Sequence, residues 1–69
     1  MLEWKNVGPD KTYVFSVKDG VVLGKIIQVN GVYNTYYVDR DSKFILFNMY
    51  AYLEYAKESL NSLLTHSTK

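Results

Sequence analysis

His66 is the only histidine of the chain and there is no cysteine, so a zinc site, a thiol nucleophile or a Ser–His–Asp relay would lack most of its members. Asp39-Arg40-Asp41-Ser42 brings two carboxylates together. A calcium loop needs more oxygen ligands and a glycine at its bend, so turn formation is the better use of this tetrapeptide. Gly20, Gly24 and Gly31 lack the spacing of a phosphate-cradling loop, and none of them opens a helix. Glu3, Asp10 and Glu54 have no neighbour in sequence that would tune one as an acid and another as a base. The expectation is a protein that is not an enzyme and uses no cofactor or metal, with His66 a bystander.

Binding chemistry is better represented. Tyr33, Tyr36 and Tyr37, with Lys25, Arg40 and Lys43, combine rings that stack on bases with cations that meet phosphates. Tyrosine is also a common strand and interface residue, giving contact area and one hydrogen bond at low entropy cost. Eight basic residues against seven acidic leave a net charge of +1, which supplies no field for unspecific attraction to nucleic acid or anionic lipid. No apolar run approaches the roughly 20 residues of a membrane-spanning helix, and the first residues do not read as a leader. With no cysteine to oxidise, the chain is expected in the cytoplasm.

A length of 69 residues makes one domain, close to the size at which a single core barely offsets the entropy of folding. The 48% hydrophobic content argues against disorder. Gly8-Pro9-Asp10 signals a turn after an amino-terminal arm, residues 1–11, that contains Trp4. Thr12 to Lys18 alternates with period two, Val21 to Val29 follows Asp19-Gly20, and Val32 to Val38 follows Asn30-Gly31. Both glycine dipeptides favour type I′ hairpins. Lys43 to Phe47 adds a fourth strand or an extended lead-in. Asn48 is placed to cap a helix over 48–64, with Phe47 and Tyr52 as its hydrophobic staple. The helix stripe is then Tyr52, Tyr55, Ala56, Ser59, Leu60 and Leu63, and residues 65–69 form a frayed tail. The fold class is α+β: an antiparallel β-meander of three to four strands followed by one C-terminal helix packed on one sheet face.

Two-residue loops at both turns put Val17, Phe15 and Tyr13 opposite Val22, Gly24 and Ile26, with Tyr33, Thr35 and Tyr37 on the same side. That side is the expected core. The reverse side holds Val14, Ser16, Leu23, Lys25, Ile27, Asn34, Tyr36 and Val38, which is too apolar for solvated surface. Burying each large apolar side chain there is worth about 1.5–3 kcal/mol, so it calls for a cover. The Trp4 segment, a second copy in a homodimer, or a larger partner protein would each supply one. Leu23, Lys25, Ile27, Tyr36 and Val38 are the expected interface. The main functional reading is a protein-interaction module, with a weak nucleic-acid-binding module as the alternative and a structural subunit of a larger assembly as a third.

Val22-Leu23-Gly24-Lys25-Ile26, Gly31-Val32-Tyr33 and Tyr52-Leu53-Glu54-Tyr55-Ala56-Lys57 together resemble the layout of small bacteriophage-encoded proteins of unknown function. In these a Leu-Gly-x-Ile strand precedes a Gly-Tyr strand and a helix with Leu-Glu-x-Ala-Lys. The resemblance covers about residues 12 to 60 and implies a source, a viral protein in the host cytoplasm, more than an activity. A phage-encoded modulator of a host protein would have the form of the main functional reading. A looser similarity links the chain to the three-strand-plus-helix DNA-reading domains of certain plant transcription factors and of phage integrase amino termini. Those domains carry several Arg and Lys on exposed strands, where Val, Ile and Tyr dominate here.

Overall fold

The computed structural model describes residues 2–66 and contains one five-stranded antiparallel sheet followed by one helix. The strands are β1 (Leu2–Gly8), β2 (Lys11–Ser16), β3 (Val22–Val29), β4 (Val32–Val38) and β5 (Phe44–Tyr50), and the helix is α1 (Leu53–His66). They lie side by side in chain order, so each strand pairs with its sequence neighbour. The α+β meander-then-helix is as expected, with five strands in place of three or four.

The extra strand is the predicted arm. Leu2 and Trp4 alternate with Glu3 and Lys5, and this period-two pattern pairs with β2 from Leu2↔Ser16 to Gly8↔Lys11. The side chains of Leu2 and Trp4 pack against the helix-side core, and the Lys57 ammonium lies 5.6 Å from the centre of the Trp4 ring. The arm therefore does not fold across the second sheet face.

Asn30-Gly31 makes the expected hairpin. Both residues take positive φ, +52° and +77°, and Val29 pairs directly with Val32. The register of β3 on β4 follows as read, with Gly24↔Tyr37 and Ile26↔Thr35. Asp19-Gly20 departs from expectation because only Gly20 adopts positive φ there, so a two-residue type I′ turn is not formed. The loop is longer, closed by Ser16 N–H on the Val21 carbonyl and Gly20 N–H on the Ser16 carbonyl, and the β2–β3 ladder shifts between Val14 and Phe15. Val14, in place of Phe15, then pairs with Gly24. This moves every residue of β2 to the opposite face from the one predicted.

The core consists of Val14, Ile26, Ala56, Leu60 and Leu64, with Trp4, Leu23, Tyr33, Tyr37, Tyr50, Leu53 and Leu63 packed around it. A Cβ added at Gly24 would lie 2.5 Å from the Tyr36 carbonyl oxygen and 3.3 Å from Leu60, so glycine is what lets the helix sit down on the sheet. Helix α1 buries Ala56, Leu60 and Leu64, a stripe with four-residue spacing. This stripe is rotated from the predicted one, which leaves Tyr52 and Tyr55 exposed and edge-to-face at 5.6 Å.

The helix also starts later than predicted. Asn48 belongs to β5, where its N–H donates to Thr35 Oγ1 at 3.1 Å and its carbonyl accepts the Thr35 hydroxyl proton at 2.8 Å. A fully buried threonine on a neighbouring strand thus holds Asn48 extended, and the cap and the Phe47–Tyr52 staple do not form. Thr65 and His66 continue α1. The predicted tail beyond them, residues 67–69, and the side chain of His66 lie outside the described residues.

Candidate functional site on the open sheet face

One face of the sheet carries α1, and among the described residues nothing covers the other. The register assigns to the open face the row Lys5–Tyr13–Lys25–Tyr36–Leu46, the row Lys11–Ile27–Asn34–Met49, and the pairs Glu3–Phe15 and Val38–Phe44. Its apolar members are substantial. Leu46 and Met49 are 51% and 58% exposed, and Tyr13, Phe15, Ile27, Tyr36 and Val38 are half-buried by one another with no second layer above them.

Rings and ammonium groups interleave at the centre. Tyr13 stacks on Phe15 at 6.4 Å between centroids and meets Phe44 edge-on at 6.2 Å. The Lys25 ammonium sits 4.0 Å from the centre of the Phe44 ring and 5.1 Å from that of Tyr36, while that of Lys5 lies 5.7 Å from Phe15. These contacts let the lysine stems lie along the apolar surface with their charges outward. Glu3 is the one acidic residue that the register puts on this face, against Lys5, Lys11 and Lys25. A shallow groove of about 370 Å³ runs between Tyr13, Val22, Val38 and Phe44.

Four of the five predicted interface residues, Lys25, Ile27, Tyr36 and Val38, share this face. Leu23 does not, because it is the additional β3 residue at the irregularity opposite Val14 and Phe15, and it packs against the helix-side core. Val14, predicted beside it, is wholly buried under α1. Of the proposed base-stacking set, Tyr36 and Lys25 come together, Tyr33 and Tyr37 pack against the helix-side core, and Arg40 and Lys43 flank the β4–β5 turn.

Sequence reasoning missed Lys5, Tyr13, Phe15, Phe44, Leu46 and Met49. The alternation in Leu2–Lys5 was a visible signal for the first. Tyr13 and Phe15 depended on the true length of the Asp19-Gly20 loop, and Met49 on the long-range grip of Thr35 upon Asn48.

The other candidates have structural employment. Asp39 Oδ1 accepts the N–H groups of Asp41 and Lys43, both at 2.9 Å, which consumes the turn carboxylate locally. Among the described residues no group of three or more His, Asp or Glu is arranged to hold a metal ion, and no helix is long and apolar enough to cross a membrane. No family model, curated protein or solved structure matches the chain, so the resemblance to small bacteriophage proteins rests on its short motifs alone.

Proposed function

We propose that this chain is a non-catalytic interaction module of the cytoplasm that docks on a partner protein through its open sheet face. The observation that carries this reading is the separation of covers from surfaces: α1 and Trp4 both lie on one side, and Tyr13, Phe15, Ile27, Tyr36, Phe44 and Met49 are left on the other. An apolar centre with aromatic anchors and a rim of lysines has the composition of a protein interface. Flatness suits a protein surface better than a small molecule, which is usually held in an enclosed pocket.

The test is recovery of bound material from cells expressing the chain, compared with Tyr36→Asp on the open face and Asn61→Asp on the exposed side of α1. A protein retained by the wild type and by Asn61→Asp but lost with Tyr36→Asp supports the reading. A protein lost equally with both variants, or none at all, refutes it.

The placement of Lys25 over Tyr36 and Phe44, with Lys5 and Lys11 on the same face, favours a second reading, a single-stranded nucleic acid whose bases stack on the rings. Salt separates the two. Nucleic-acid binding falls steeply with ionic strength, whereas apolar docking does not.

A further inference from the structure

The two edges of the sheet are built differently. β1 exposes Glu3 and Lys5 and is irregular between Asn6 and Gly8, and charge and irregularity are the usual means of keeping an edge from pairing. β5 has no charged residue from Phe44 to Tyr50, and six of its seven residues are exposed. It is apolar on both sides, with Ile45 and Phe47 toward α1 and Phe44, Leu46 and Met49 on the open face.

Its main chain is also available. Asp39 N–H donates to the Lys43 carbonyl at 2.9 Å, which sets the alternation of the β4–β5 ladder. Ile45 then faces Tyr37, and the N–H and C=O groups of Phe44 and Leu46 point to the side where β5 has no neighbour. Further along, the Met49 N–H is taken by the side-chain oxygen of Asn48 at 2.8 Å. The open stretch is therefore residues 43–47, bounded by a turn before it and a capped amide after it.

We propose that this stretch pairs with the same stretch of a second copy, antiparallel about a twofold axis through Ile45, to make one continuous ten-stranded sheet. Phe44 then exchanges hydrogen bonds with the partner's Leu46, and Leu46 with the partner's Phe44. The register satisfies all four outward groups of each strand, and it sets Lys43 opposite the partner's Phe47, so no like charges meet. Ile45 meets the partner's Ile45 on the axis, on the side of the helices. Each chain has there a groove of about 460 Å³ between Phe47 and the α1 residues Tyr55, Ser59, Ser62 and Leu63, which the approaching copy closes. A second copy fits because the segment is uncharged and apolar on both faces, so each strand offers what the other lacks. The inference is independent of what occupies the open face.

The mass of the full chain in solution, by light scattering at high micromolar concentration, tests it. The wild type is expected at twice the 8.0 kDa chain mass, with amide exchange at Phe44 and Leu46 slowing as concentration rises. Leu46→Pro removes an outward N–H without removing a β4 hydrogen bond, and is expected to give a folded monomer. If Leu46→Pro fails to fold, Ile45→Lys decides, since it brings like charges together on the proposed axis, lies on the helix side away from the open face, and leaves the β4 ladder whole. Ile27→Lys, on the open face and away from the edge, is expected to remain dimeric. A dimer that survives Leu46→Pro or Ile45→Lys but is lost with Ile27→Lys means face-to-face association and overturns the edge proposal. A monomeric wild type also overturns it.

Discussion

Ile26 and Ile27 are consecutive residues of one strand, yet the first is 1% exposed beneath Leu60 and the second lies on a surface with no layer above it. The same holds for Tyr37, packed against the core, and Tyr36, packed only against Lys25 and its neighbours. The strands supply similar apolar material to both sides. What separates the core from the open face is a single helix with room for one side. Hydrophobic character therefore does not mark the interior of this protein, because the cover decides which half of the material serves stability.

The sharpest way to break that comparison is truncation on each side. Ile26→Ala should destabilise the fold by about 2–5 kcal/mol, a large part of what so small a domain has, whereas Ile27→Ala should cost less than about 1 kcal/mol in the monomer. Denaturant titration at low concentration measures both. Equal losses would mean that the open face is already covered.

Next in size is Thr35→Val, which leaves the Asn48 main-chain groups without their buried partner and should cost about 1–3 kcal/mol. It should also loosen the far half of β5, read as faster amide exchange at Asn48. Gly24→Ala tests how closely the cover sits. Its methyl group would meet the Tyr36 carbonyl and Leu60, and a loss of about 1–3 kcal/mol in thermal unfolding is expected. Gly31→Ala, at φ +77°, should cost about 1 kcal/mol and affects both faces equally, since this turn holds the β3–β4 register. Smallest of all is Met49→Lys on the open face, expected within about 0.5 kcal/mol of the wild type in stability while weakening partner binding.

The elements that could be read from the chain were those whose cause is local. Asn30-Gly31 specifies its hairpin because two adjacent residues both tolerate positive φ, and the β3–β4 register from Gly24↔Tyr37 to Val29↔Val32 follows as read, while Val22 and Leu23, next to the longer loop, change faces. Asp19-Gly20 looks the same on paper, but only its glycine takes that conformation, and the longer loop exchanged Tyr13 and Phe15 with Val14. The helix start was hidden for a different reason. Asn48 has the chemistry of a cap, and it is kept in a strand by the hydroxyl of a residue thirteen positions earlier. Four of the five expected interface residues, Lys25, Ile27, Tyr36 and Val38, fall on the open face because the well-specified turn sets their register; Leu23, also on β3, lies beside the irregularity with β2. The rest of the open face lies on β1, β2 and β5, where the alternation of the arm was overlooked or a distant contact decides.

Because every strand neighbours its predecessor in the chain, the sheet can assemble hairpin by hairpin as the polypeptide leaves the ribosome, with little loop entropy at each step. Helix α1 follows all five strands. Until α1 docks, then, Val14, Ile26 and Tyr37 are as bare as Ile27 and Tyr36, and the meander shows two apolar surfaces where the finished molecule shows one. The state in which the meander has formed and α1 has not yet docked is therefore the one most open to aggregation.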